Sequence, residues 1–306
     1  MMKRFPEKAR VCFVGDSITA SNIYVAHIAG YYRDNFPESA VEFYNCGISG
    51  ATLKTSLAVF DEDILPFEPT HIVLMSGIND SHRHFLERPA PDRYDRMREA
   101  FELYKARLDI FAERVKKIGA ELILCTPMPY DEYLVSDVRV LRGCFAAMLG
   151  YAEYVKGYAR EHGYALCDYH SSLTREITLS DEPLFNPDRV HPTPLGHYHM
   201  ARCFLESQGI ELPFGTDIPD SVRPWHDVTL RLRNTVSTEN FILRGDFSGT
   251  DEDRMRIIRD FSENPWDDSN KELFLAMARD YPENKRNQRR NTELVLQFMK
   301  NPPPKG

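Results

Sequence analysis

The chain is 306 residues long, enough for one large α/β domain with an addition. Hydrophobic residues make up 42% and charged residues 27%, which excludes a mainly disordered, collagenous or membrane-embedded chain. Thirty-eight Lys and Arg against 46 Asp and Glu leave a formal charge of −8, and no long basic run offers a surface for nucleic acid.

Taken in chain order, short apolar runs alternate with helical patterns. Arg10–Asp16 reads as a strand and Ser21–Asn35 as a helix. Val41–Cys46 is a second strand, followed by a glycine-containing loop and a helical stretch to about Phe60. His71–Ser76 is a third strand. Over Asp92–Ile118, Met97, Phe101, Tyr104, Leu108, Phe111, Val115 and Ile118 recur at steps of four and three, one face of a helix. Glu121–Thr126 is a fourth strand, Val138–Glu161 a helix, Tyr164–Asp168 a fifth strand and Thr193–Ser207 the last helix. Alternation of this kind implies a parallel sheet covered on both faces. The expected fold is α/β, a flavodoxin-like three-layer sandwich with a five-stranded parallel sheet.

Pro213, Gly215, Pro219 and Pro224 mark a boundary. The expected division is a domain over 1–212 and a C-terminal extension over 213–306. The extension reads as an extended segment (Val228–Arg244) and short helices at Asp251–Phe261, Ser269–Tyr281 and Asn291–Lys300. Its apolar positions call for packing on the main domain or on a second subunit, which leaves room for a homo-oligomer. Six cysteines, none in a Cys-x-x-Cys pair, fit buried thiols in a reducing compartment, so a cytoplasmic location is expected. No apolar run approaches the ~20 residues of a membrane span.

In sheets of this class the ligand crevice lies beyond the carboxyl ends of the strands. There the sequence places Gly15-Asp16-Ser17-Ile18-Thr19, Asn45-Cys46-Gly47-Ile48-Ser49-Gly50-Ala51-Thr52 and Gly77-Ile78-Asn79-Asp80. Asp188-Arg189-Val190-His191-Pro192 precedes the last helix. A serine hydroxyl needs a base, and His191 can serve Ser17 as one. Asp188, three residues earlier, can hold the second imidazole nitrogen. The N–H groups of Ser17 and Gly50 and the amide of Asn79 can form an oxyanion hole. Gly47 reads as the residue that permits the loop to turn.

These four blocks resemble the SGNH hydrolases, the GDSL family of esterases and acylhydrolases, over roughly residues 10–210. The landmark Ser, Gly, Asn and His match Ser17, Gly50, Asn79 and His191. Asp188 takes the Asp-x-x-His position. GDSIT, NCGISGAT, GIND and DRVHP, followed by Gly196-His197, are similar to the bacterial acetylxylan-esterase branch. One departure is Asn186-Pro187, where that branch often carries a tryptophan. The resemblance implies a serine esterase that removes O-acetyl groups from carbohydrates through an acyl-enzyme, without cofactor or metal. Its partner would be a small-molecule or oligosaccharide ester, with no nucleic acid and no membrane. A lipase or thioesterase of another small acyl ester is the alternative, and a carbohydrate-binding module on the same fold is a minor one. His82, Arg83 and His84 should line the rim and contact substrate, and Tyr130 is a candidate for stacking on a sugar, as are Tyr133 and Trp225.

Overall fold

A computed structural model describes residues 2–87 and 90–212. The expected C-terminal extension, with Trp225, lies outside the described residues. The strands are β1 (Arg10–Gly15), β2 (Glu42–Gly47), β3 (His71–Met75), β4 (Glu121–Cys125) and β5 (Ala165–Cys167). All four pairings are parallel, in the order β2-β1-β3-β4-β5.

Side chains alternate across the sheet, and the two faces build two cores. Val11, Phe13, Val73, Met75, Ile123 and Cys125 point to one side, with Ile28 and Tyr32 of α2 (Ile23–Asn35) and Met200 and Phe204 of α7 (Pro194–Ser207). Cys12, Val14, Ile72, Leu74, Leu122 and Leu124 point to the other. They meet Leu53 of α3 (Leu53–Ala58), Leu108 and Phe111 of α4 (Arg93–Lys117), and Met148 and Val155 of α5 (Cys144–His162). Each such side chain contributes about 1.5–3 kcal/mol through burial. The sandwich is therefore fixed from both faces, and the strand ends it positions are rigid. The six cysteines are all free, five of them buried. No helix among the described residues is long and apolar enough to cross a membrane.

Three elements differ from the sequence expectation. The helix expected over Ser21–Asn35 is preceded by a separate turn of helix, α1 (Ser17–Ala20), and Asn22 between them sits at φ +61°. Asn45 holds this break: its Nδ2 donates to Thr19 O (2.7 Å) and Asn22 Oδ1 (2.9 Å). The helix expected from Val138 starts only at Cys144. Upstream, Leu141 N–H donates to the Tyr130 hydroxyl (3.0 Å) and Val138 O accepts from Arg189, so this stretch is committed to tertiary partners. A further helix, α6 (Tyr169–Leu179), was not expected. Asp168 caps it by accepting from Ser171 N–H (3.1 Å).

Candidate active site

β1 lies between β2 and β3. The residues following these three strands therefore meet at the point where the strand order reverses, the place where such sheets bind ligands. Ser17, from the β1 end, opens α1. Asp16 precedes it, and its Oδ1 accepts from Ile18 N–H (2.9 Å). This cap turns the chain sharply from strand to helix and projects Ser17 over the sheet edge.

Gly47 makes that position accessible by a close approach, which replaces the turn role expected for it. It is the last residue of β2, and a Cβ there would lie 2.4 Å from Ala20 N and 2.8 Å from Thr19 C. Gly47→Ala should therefore push α1, and Ser17 with it, off the strand. Overpacking of this kind costs about 1–3 kcal/mol. Thermal melts and esterase rates should both fall; unchanged values would show that α1 can shift freely. Gly50 has a different task. Its φ is +73°, and nothing lies within 4 Å of where its Cβ would be, so the loop turns there and leaves its backbone open.

Ser17 Oγ lies 2.8 Å from His191 Nε2, across 174 residues of sequence. His191 Nδ1 lies 2.6 Å from Asp188 Oδ2. Asp188 Oδ1 accepts from the N–H groups of Val190 (3.0 Å) and His191 (2.9 Å). Burial tends to raise the Asp188 carboxyl, but the hydrogen bonds from the His191 ring and these N–H groups outweigh it and hold it down at about 2. Asp188 is thus an anion at neutral pH, and it fixes the imidazole with Nδ1 as donor and Nε2 turned to Ser17 as acceptor.

Asn79, from the β3 end, donates through Nδ2 to Ala51 O (3.0 Å). Its Oδ1 accepts from Arg83 Nη1 (3.2 Å). With both ends of the amide held, the second Nδ2 hydrogen is left without an acceptor among the described residues. Ser17 sits at the first position of α1, where a helix leaves N–H groups without an intrahelical acceptor. The donors named from the sequence therefore come from three adjacent strand ends.

The rim residues fare differently. Arg83 is half-buried and reaches Asn79. His82 and the exposed His84 pack on Phe85, with ring centroids 5.6 and 4.3 Å from it. Tyr130 does not fit its expected role. It is 2% exposed, and its hydroxyl accepts from Leu141 N–H, so neither ring face is open to a sugar. Tyr133 is 87% exposed. His197 and His199 are buried in α7, as structural histidines.

Sequence reasoning missed Asn186 and Asp80. Asn186 closes the histidine loop: its N–H donates to His191 O (2.8 Å), and its Nδ2 to His191 O and Pro192 O (3.0 Å each). Its one visible signal is that an amide occupies the stretch just before Asp188. Asp80 Oδ1 accepts from Leu53 N–H (2.9 Å) at the start of α3. Burial lifts its carboxyl to about 6, against the opposing effects of Leu53 N–H and Arg107 and with a further push from Asp16. Asp16 is lifted to about 6 by burial too, opposed by Ile18 N–H, His191 and Arg83.

The sign of the pH effect follows. Between about pH 4 and 6 the folded chain retains protons that an unfolded chain, with ordinary carboxyls, has released. Asp80 and Asp16 therefore make stability fall as pH rises through this window. Asp80→Asn removes one share of that slope. From about pH 4.5 to 7.5 the melting temperature of the variant should rise relative to that of the parent, and a constant difference would contradict the assignment.

The sequence profile of the GDSL-like Lipase/Acylhydrolase family matches residues 13–198 of the chain, the span that carries every residue of this site. The chain belongs to this family of ester hydrolases. A curated relative, an acetylxylan esterase of Geobacillus stearothermophilus, is 27% identical over 217 residues, covering 66% of this chain and 94% of the relative. Among solved structures, a catalytic mutant of an acetylxylan esterase from the same organism aligns with a TM-score of 0.57 at 26% identity. It covers 68% of this chain and 97% of that one. A gut microbial diltiazem-metabolizing enzyme aligns with a TM-score of 0.63 at 26% identity; 68% of this GDSL-like hydrolase spans 48% of that longer chain. The family match ends at residue 198, so residues 213–306 are not part of what this hydrolase shares with it.

Proposed function

We propose that the protein is a carbohydrate O-acetylesterase that works through a Ser17 acyl-enzyme. The observation that carries this reading is the continuous hydrogen-bonded chain from Ser17 Oγ through His191 to Asp188, at 2.8 and 2.6 Å. The acetylxylan esterases among its relatives support the choice of acyl group and substrate class.

In this scheme Ser17 Oγ attacks the acetyl carbonyl carbon while its proton passes to His191 Nε2. The imidazolium is stabilised by the Asp188 carboxylate. Negative charge develops on the carbonyl oxygen, facing the N–H groups of Ser17 and Gly50 and the Asn79 amide. Collapse of the tetrahedral intermediate breaks the bond to the sugar oxygen, which takes the proton from His191. Water then enters, gives a proton to His191 and releases acetate, returning Ser17 to its hydroxyl form. No cofactor or metal takes part, so EDTA should leave the rate unchanged. The six free cysteines, five of them buried, support a cytoplasmic location for the enzyme.

The test compares acetylated xylooligosaccharides with simple esters of rising acyl length. The proposal predicts the highest kcat/KM on acetyl groups and a steep decline beyond short acyl chains. A preference for long acyl chains or thioesters would favour the lipase or thioesterase reading. Activity should also fall on the acid side of the kcat/KM profile, because His191 accepts the Ser17 proton only when neutral. A flat profile down to about pH 5, with the fold intact, would contradict His191 as base.

A further inference from the structure

Arg189 stands between Asp188 and His191 in a conformation that an arginine adopts at a cost. Its φ is +67°, the left-handed region that disfavours any residue with a Cβ. A glycine could make the same turn without strain. The backbone of the turn is closed independently of the side chain, through Arg189 N–H to Asn186 O (2.8 Å) and the Asp188 and Asn186 hydrogen bonds already described. The arginine side chain is therefore not needed to make the turn.

Its contacts lie elsewhere. The residue is 4% exposed, and its guanidinium is directed into the loop between β4 and α5. Nη1 donates to Asp131 O (3.2 Å) and to Leu134 O, and Nη2 to Val138 O (3.1 Å). Its own carbonyl accepts from Asp131 N–H (3.2 Å). A second strut joins the same two segments, from Ser136 Oγ to Pro187 O (2.8 Å). Three carbonyls spread over eight residues thus converge on one buried cation, a task for which a planar guanidinium is suited and an ammonium much less so.

We infer that Arg189 is a positioning residue that locks the His191 turn to the loop over residues 131–142, so that the placement of the imidazole and the conformation of that loop are set together. The activity arm of this inference rests on the acetylesterase reading. The physical coupling does not, because it can be measured without turnover.

The test uses the full chain carrying Arg189→Met, Arg189→Lys or Arg189→Gly. Hydrogen exchange should show protection lost in R189M at both 131–141 and 186–193, although only the second segment carries the substitution. In activity, R189M and R189G should lose about tenfold or more in kcat, R189K should recover part of it, and KM should change less. The acid limb of kcat/KM should move to lower pH in R189M as the Asp188–His191 contact loosens. Loss of protection confined to 186–193 would overturn the coupling. So would a folded R189M with parental kcat and pH profile, or three variants whose losses simply follow their melting temperatures under an unchanged pH profile. If R189M does not fold, exchange and pH profile in R189K decide in the same way. Should the parent protein itself fail to hydrolyse acetyl esters, the acetylesterase reading fails, and the exchange result still decides the coupling.

Discussion

Replacing Ser17 by alanine is expected to abolish esterase activity while leaving the protein folded. Among the described residues Ser17 Oγ is hydrogen-bonded to His191 Nε2 at 2.8 Å. In the proposed mechanism its removal takes away the group that forms the acyl-enzyme. The remaining donors can still polarise a carbonyl, but water would have to attack it directly. Loss of a nucleophile from such a unit costs several orders of magnitude in kcat, on the order of 10⁴ or more. The measurement is kcat on an acetyl ester together with a thermal melt. A variant that keeps more than about a tenth of parental kcat would remove Ser17 from the mechanism.

Asn79→Ala should lower kcat by about 100-fold or more, the effect of deleting one oxyanion donor. The geometry makes this a statement about kcat rather than KM. The amide is held at Oδ1 by Arg83 and at Nδ2 by Ala51 O, and the proposed mechanism uses its second hydrogen on the charge that appears only in the transition state. A raised KM with unchanged kcat would instead mean that Asn79 binds the ground state. Arg83 should then show its effect through Asn79: Arg83→Met is expected to lower kcat less than Asn79→Ala, and the double variant no more than Asn79→Ala alone.

The sheet and its strand order class were legible in the sequence from local signals, and the placement of Ser17, Gly50, Asn79, Asp188 and His191 from those signals together with the family resemblance. Strands announced themselves as apolar runs with both faces buried; Ser17, Gly50 and Asn79 lie in the segments after three of them, and Asp188 and His191 just before the last helix. The roles of Arg189, Asn186 and Arg83 were not legible in the same way. The partners of Arg189, the carbonyls of 131–138, lie in a segment that no local pattern joins to it, and those of Asn186 and Arg83, though near in sequence, depend on how their loops fold. Tyr130 illustrates the opposite error. An aromatic residue after a strand end suggests a sugar platform, yet the Leu141 N–H claims its hydroxyl and the core claims its ring. Helix α6 is hard to see in the sequence because its apolar stripe, Tyr169, Leu173 and Ile177, is short and set among polar neighbours, although the spacing of four is helical.

Labelling with a fluorophosphonate probe, read by intact mass and by peptide mapping, tests the central claim most directly. A serine activated by His191 and Asp188 should take up one probe per chain, on Ser17, with acetylesterase activity lost in step. The same treatment should leave Ser17→Ala unlabelled and should be strongly slowed in His191→Ala. An adduct on another residue, or a protein that hydrolyses acetyl esters at full rate while Ser17 stays unmodified, would contradict the account.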